Sequence, residues 1–213
     1  MKPLVKTLSL LLFLSISVSM EAQTLEESLG KVYMQMDSIK GLSDMMSVSA
    51  QFDMIADKWD NEWSANYYAA YAKVIASFIE QDSKKKDLFL DAADRYLEKV
   101  KSLGKENDET YVLAALITSA RIAVDGQNRG MQYSGIVNQS LEKAEKINPD
   151  NPRIYYLKGS SLFYQPEMYG GGKDKAKPYF EKAKDLFAKE SKASIVKPYW
   201  GEKQNLDYLK QCE

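Results

Sequence analysis

Apolar residues recur at three- and four-residue spacing along almost the whole chain, and no sustained strand-like alternation interrupts them. The pattern predicts amphipathic helices over about 25–39, 42–59, 63–79, 85–103, 109–124, 133–147, 153–164, 174–190 and 199–211. Gly41, Asp60-Asn61, Gly104, Asp125-Gly126 and the run Asn148-Pro149-Asp150-Asn151-Pro152 supply the breaks, residues that stop a helix or start the next one. Asp174 reads as an N-cap for the eighth helix. Helices of this length with short connections fold back on one another as antiparallel hairpins.

Residues 1–22 break the pattern differently. Lys2 and Lys6 precede the apolar run Leu8 to Val18, and Ala22 or Ser19 offers a small residue at a cleavage point. At about 11 residues the run is short for a membrane span, which needs about 20. The expectation is a signal peptide over 1–22, without a cysteine for lipid attachment, followed by a single helical-repeat domain over 23–213. The mature protein is then periplasmic or secreted.

The helical pattern is also self-similar. In the last unit, Asn148-Pro149 closes one helix and Asp150-Asn151-Pro152-Arg153 opens the next. Tyr155, Gly159 and Leu162 follow at spacings of four and three, and the partner helix carries Ala176, Phe180 and Ala183. Small residues allow two helices to cross closely, and large ones fill the space between hairpins. Aligning Ile55, Val100, Ala144 and Ala183 extends the unit upstream at steps of 45, 44 and 39 residues.

On these residues the chain resembles the tetratricopeptide family over about 51–190. The family period is 34 residues, and the excess falls at Asp82–Lys86, Asp125–Gly130 and Pro166–Gly172, as longer loops within each unit. Val48 and Val137 depart from the pattern, standing where alanine or glycine is expected. The resemblance implies an all-α fold of about three stacked hairpins in a short right-handed superhelix, with the final helix as a cap. The long loops and the Pro-x-x-Tyr-Gly-Gly stretch are similar to those of divergent exported bacterial repeat proteins, including partner subunits of periplasmic substrate-uptake systems. The family geometry turns the first helix of each unit toward a concave surface. That mapping places Tyr67, Tyr71, Val112, Ser119, Arg153, Tyr156, Ser160 and Tyr164 in a tyrosine-lined groove.

Composition narrows the chemistry. The chain has no histidine and one cysteine, Cys212. That excludes Ser-His-Asp and Cys-His catalysis, His-ligated zinc and an intrachain disulfide. With 29 basic and 30 acidic residues, there is no field to draw nucleic acid or an anionic membrane. Gly170-Gly171-Gly172-Lys173 is not a phosphate loop, because Glu167 and Asp174 occupy positions the motif reserves for glycine and Ser/Thr. Lys84-Lys85-Lys86 reads as a solvated helix start. Met34, Met36, Met45, Met46 and Met54 read as flexible core filling. No spacing singles out a pair of catalytic carboxylates.

The expectation is therefore an interaction protein, not an enzyme, with no cofactor and no metal. Its groove takes a protein or peptide partner, tyrosine bodies supplying area and hydroxyls supplying hydrogen bonds. The alternative is a periplasmic small-ligand-binding protein associated with transport, the groove closing into a pocket.

Overall fold

The computed structural model describes residues 23–103 and 107–213. The leader expected over 1–22 and the helix stop expected at Gly104 lie outside the described residues. Within them the chain is all-α, with nine α-helices and no strand. They are α1 (Leu25–Gln35), α2 (Leu42–Lys58), α3 (Trp63–Ile79), α4 (Ser83–Ser102), α5 (Asp108–Val124), α6 (Gly126–Ile147), α7 (Pro152–Tyr164), α8 (Lys173–Phe187) and α9 (Glu202–Gln211).

Local chemistry sets most starts. Thr24 and Glu27 cap α1 reciprocally, each side chain accepting from the other's backbone N–H at 3.2 and 2.9 Å. Asp82, Asn107 and Asn151 each accept an N–H from the first turn of α4, α5 and α7, and Pro152 opens α7 where its missing N–H costs nothing.

Four boundaries differ from the sequence expectation. The stretch Asp82–Lys86 is not a loop: α4 starts at Ser83, because Asp82 accepts from the Lys85 N–H and caps it there. The stretch Asp125–Gly130 is not a loop: Asp125 caps α6, accepting from the Asn128 backbone and side chain, so the helix starts at Gly126 rather than near 133. Asp174 is not the cap of α8. Gly172, at φ 102°, holds that place, and Asp174 sits in the first turn. The last helix starts at Glu202, because Gly201 at φ 106° turns the chain into it.

Adjacent helices pair as hairpins, α3 with α4, α5 with α6 and α7 with α8, and α3 also packs on α5 and α5 on α7. The helices α3, α5 and α7 thus form one layer, with α9 laid against α8. Alanines at 65, 69, 70, 72 and 76 are fully buried and let neighbours close on α3 from several sides. Ile55, Val100, Ala144 and Ala183 are buried at corresponding places on α2, α4, α6 and α8. Gly159 sits at the tight crossing of α7 and α8: a Cβ there would lie 2.7 Å from Phe180 Cε1. The methionines correct an expectation. Met45 is buried, but Met34, Met46 and Met54 are exposed, because they lie on the outward faces of α1 and α2.

Candidate ligand-binding site

Between α8 and α9 the chain runs without a helix, and this strap ends on Trp200, which lies among the layer-forming helices. Its ring stacks on Tyr71 with centroids 5.0 Å apart and meets Tyr156 edge-on at 6.3 Å. Its indole N–H donates to the Tyr67 hydroxyl at 2.8 Å. One residue earlier, Tyr199 packs edge-on against Tyr33 of α1.

Arg153 ties the strap down. Its Nε donates to Glu109 at 2.7 Å, its terminal nitrogens donate to Glu190, and one of them also donates to the Trp200 carbonyl at 3.2 Å. Glu109 accepts further from Asn151 at 2.6 Å and from the Tyr67 hydroxyl at 2.9 Å. Burial by itself would lower the pKa of Arg153, but Glu109 and Glu190 outweigh it and raise it. Burial pushes the pKa of Tyr67, Tyr68 and Tyr71 far up, so their hydroxyls stay protonated as donors and acceptors. The Tyr68 hydroxyl is buried with no hydrogen-bond partner among the described residues.

The strap divides the expected groove in two. Tyr67, Tyr71, Val112 and Arg153 are buried, none more than 4% exposed, which corrects the expectation that they face an open surface. Tyr67, Tyr71 and Arg153 are covered by Trp200 and its neighbours. Ser119 is half-buried on α5. Tyr156, Ser160 and Tyr164 follow one another by single turns on α7, half-buried to exposed, and their face remains open.

Tyr208 of α9 joins that open face. Its hydroxyl is 2.9 Å from that of Tyr164. Its ring lies 6.2 Å from Tyr156, 5.1 Å from Phe163 and 5.3 Å, nearly parallel, from Phe180. Burial pushes its pKa up, and that of Tyr156 too. The sequence reading passed over Tyr208 and Phe163. Their signal was weak: Tyr208 adjoins Leu209 in a helix that reads only as a cap, and Phe163 lies off the spacing that selects Tyr156, Ser160 and Tyr164.

A tight turn flanks the face and presents Met168 and Tyr169 to solvent, 81% and 67% exposed. Glycines shape it. Gly170 has φ 84°, a left-handed conformation, and a Cβ on Gly171 would come within 2.1 Å of the Gln165 carbonyl oxygen. The triple glycine is therefore turn geometry. On this side the molecule offers an aromatic, partly solvated surface with hydroxyls at its edge, suited to a flat apolar body with a few polar groups.

Two polar clefts lie elsewhere. One, of about 470 Å³, is lined by Asp108, Asn148, Asn151, Arg153, Glu190 and Lys197 at the edge of the strap. The other, of about 420 Å³, surrounds Asp53, whose carboxylate is already engaged by Lys73 at 2.5 Å and the Tyr96 hydroxyl at 2.9 Å. The first has no aromatic side chain in its lining, and the second has Tyr96 alone. Among the described residues no cluster of three or more His, Cys, Asp or Glu side chains could hold a metal ion.

No protein-family model matches the chain, and no curated protein matches it. Among solved structures, the HusA haemophore from Porphyromonas gingivalis is similar, with a TM-score of 0.78 and 32% sequence identity over 90% of this chain and 94% of that one.

Proposed function

The chain belongs to the family of the HusA haemophore, and we propose from this that it is an exported carrier of haem or a closely related porphyrin. The ligand lies on the open aromatic face of Tyr156, Tyr164 and Tyr208. The observation that carries the reading is the family membership, joined to a face that suits such a ligand. A porphyrin is a flat aromatic plate, and offset or edge-on contact with tyrosine rings holds a plate without requiring a deep cavity.

The composition shapes the mode of binding. With no histidine in the chain, the commonest axial ligand to haem iron is absent. The proposed grip is ring contact and hydroxyl hydrogen bonds from the aromatic face. The reading is of a binding protein and not an enzyme. The array of α3, α5 and α7 backed by α4, α6 and α8 fits a short tetratricopeptide-like right-handed superhelix, the open face being what remains of its concave side. Among the described residues no helix is long and apolar enough to cross a membrane. With the strap occupying half of the expected groove, the small-ligand reading is preferred to capture of an extended peptide.

Titration with haemin tests the proposal. Binding is read from the shift of the porphyrin absorption band and from quenching of tryptophan fluorescence. Tyr164→Ala with Tyr208→Ala should weaken it about tenfold or more, since an aromatic contact contributes about 0.5–1.5 kcal/mol beyond the area it buries. An iron-free porphyrin should bind within about tenfold of haemin, because axial ligation is not what holds the plate. Absence of any spectral change or quenching at micromolar concentrations would refute the carrier reading.

A further inference from the structure

Resting on the porphyrin reading, we infer that Lys173 and Lys177 form the acid-gripping edge of the site and select porphyrins that carry free carboxylate side chains. Phe163 is the hub of the aromatic cluster, its ring 5.3 Å from Tyr164 and 5.1 Å from Tyr208. The Lys173 ammonium lies 5.9 Å from the centre of that same ring. Lys177 follows one turn later, on the same side of α8. Ala176, beside them on the helix, is buried with Phe180 and Leu209 where α8 meets α9. The two cations thus stand at the border of the aromatic surface.

Like many lysines of the molecule, and unlike a few, neither is committed to an ion pair. Lys73, Lys158 and Lys192 are each paired with a carboxylate, Asp53, Glu145 and Glu202. Lys173 and Lys177 have no carboxylate within salt-bridge reach among the described residues, although Asp174 lies nearby. Both still project their field onto the end of α9. Burial raises the pKa of the Cys212 thiol there, and the two lysines pull against that rise.

The chemistry of the ligand supplies what they lack. Haem carries two propionate groups on one edge of an otherwise apolar plate. A plate lying on Phe163, Tyr164 and Tyr208 brings that edge to the border where the two ammonium groups stand. Charge-assisted contacts there fix which way round the plate lies. Their energy stays modest because Lys173 is exposed and Lys177 only half-buried.

The test compares haemin with its dimethyl ester, which keeps the plate and removes both charges, on the full chain. The wild type should bind the ester about fivefold more weakly, the size expected of two exposed ion pairs. The variant Lys173→Gln/Lys177→Gln should bind haemin about fivefold more weakly and the ester unchanged, so the discrimination disappears. Raising the salt concentration should shrink the wild-type discrimination in the same way. Changing two other lysines, Lys84→Gln and Lys86→Gln on α4, should leave it intact. Equal binding of acid and ester by the wild type, or discrimination that survives in the double variant, would overturn the inference while leaving the carrier reading standing. Binding of neither compound would overturn both.

Discussion

The Trp200 indole N–H meets the Tyr67 hydroxyl at 2.8 Å across 133 residues of chain. Neither group has water to turn to, since Tyr67 is fully buried and Trp200 is 4% exposed. The contact joins the end of the strap to α3, and the stacked ring of Tyr71 completes the seat. Trp200→Ala should cost about 3–5 kcal/mol of stability, the range for emptying a large aromatic site. Trp200→Phe keeps most of the ring and loses the donor, so a loss of about 1–2 kcal/mol is expected. Urea denaturation of the two variants checks the order; equal and negligible losses would mean the strap is not seated.

Gly159 gives a second measurement. With Phe180 already 2.7 Å from where a Cβ would stand, Gly159→Leu should overpack the α7–α8 crossing and cost about 1–3 kcal/mol. Phe180→Ala in the same chain should relieve part of that strain, so the two changes should be non-additive. A Gly159→Leu variant of unchanged thermal midpoint would remove the close crossing from the account.

Tyr68 predicts the opposite sign. Its hydroxyl is buried without a partner, and a buried polar group left unpaired costs about 1–3 kcal/mol. Tyr68→Phe removes the group and keeps the ring stacked on Phe52. The variant should be as stable as the wild type or more so. Clear destabilisation would show that the hydroxyl has a partner, such as a bound water.

A pH dependence follows from Asp87. Its carboxylate takes two hydrogen bonds from Arg129, at 2.6 and 2.7 Å, and those bonds hold its pKa below the usual carboxylate range. A depressed pKa contributes stability that is fully present above the unfolded value, about 3.9, and is lost as the pH falls through the folded value. Arg129→Met should therefore lower stability by up to about 1 kcal/mol at neutral pH, the pair being partly solvated. The difference from the wild type should close as the solution is acidified through the folded value. A difference that is the same at both pH values would assign the effect to packing of the arginine stem.

The helices were legible because their signals are local. The three- and four-residue spacing records which face each helix buries, and breaks such as Gly41 and Asn148-Pro149 act on their immediate neighbours. The start of α6 was hidden because Gly126, Gly130 and Gly135 dilute the pattern; the helix holds there through the Asp125 cap and the reach of Arg129 to Asp87. Half of the candidate site was legible for the same local reason, since Tyr156, Ser160 and Tyr164 share one face of one helix. The strap was not. Ile195-Val196-Lys197-Pro198-Tyr199-Trp200 has no period, and its place is decided by Tyr33, Tyr67, Tyr71 and Arg153, all distant in sequence. Tyr208 was missed because it reaches the site from another helix.

The strap has a consequence for how the molecule comes apart. A stack of hairpins touching only its neighbours behaves as a one-dimensional array, whose end units peel away before the middle. Here Tyr199 rests on Tyr33 of α1 and Trp200 on α3, so the last part of the chain is fastened to the first. An end unit cannot leave without breaking those contacts as well. The span from α1 to the strap is closed into a ring of dependencies, and within it fraying should give way to cooperative unfolding, with α9 beyond Trp200 held by its packing on α8.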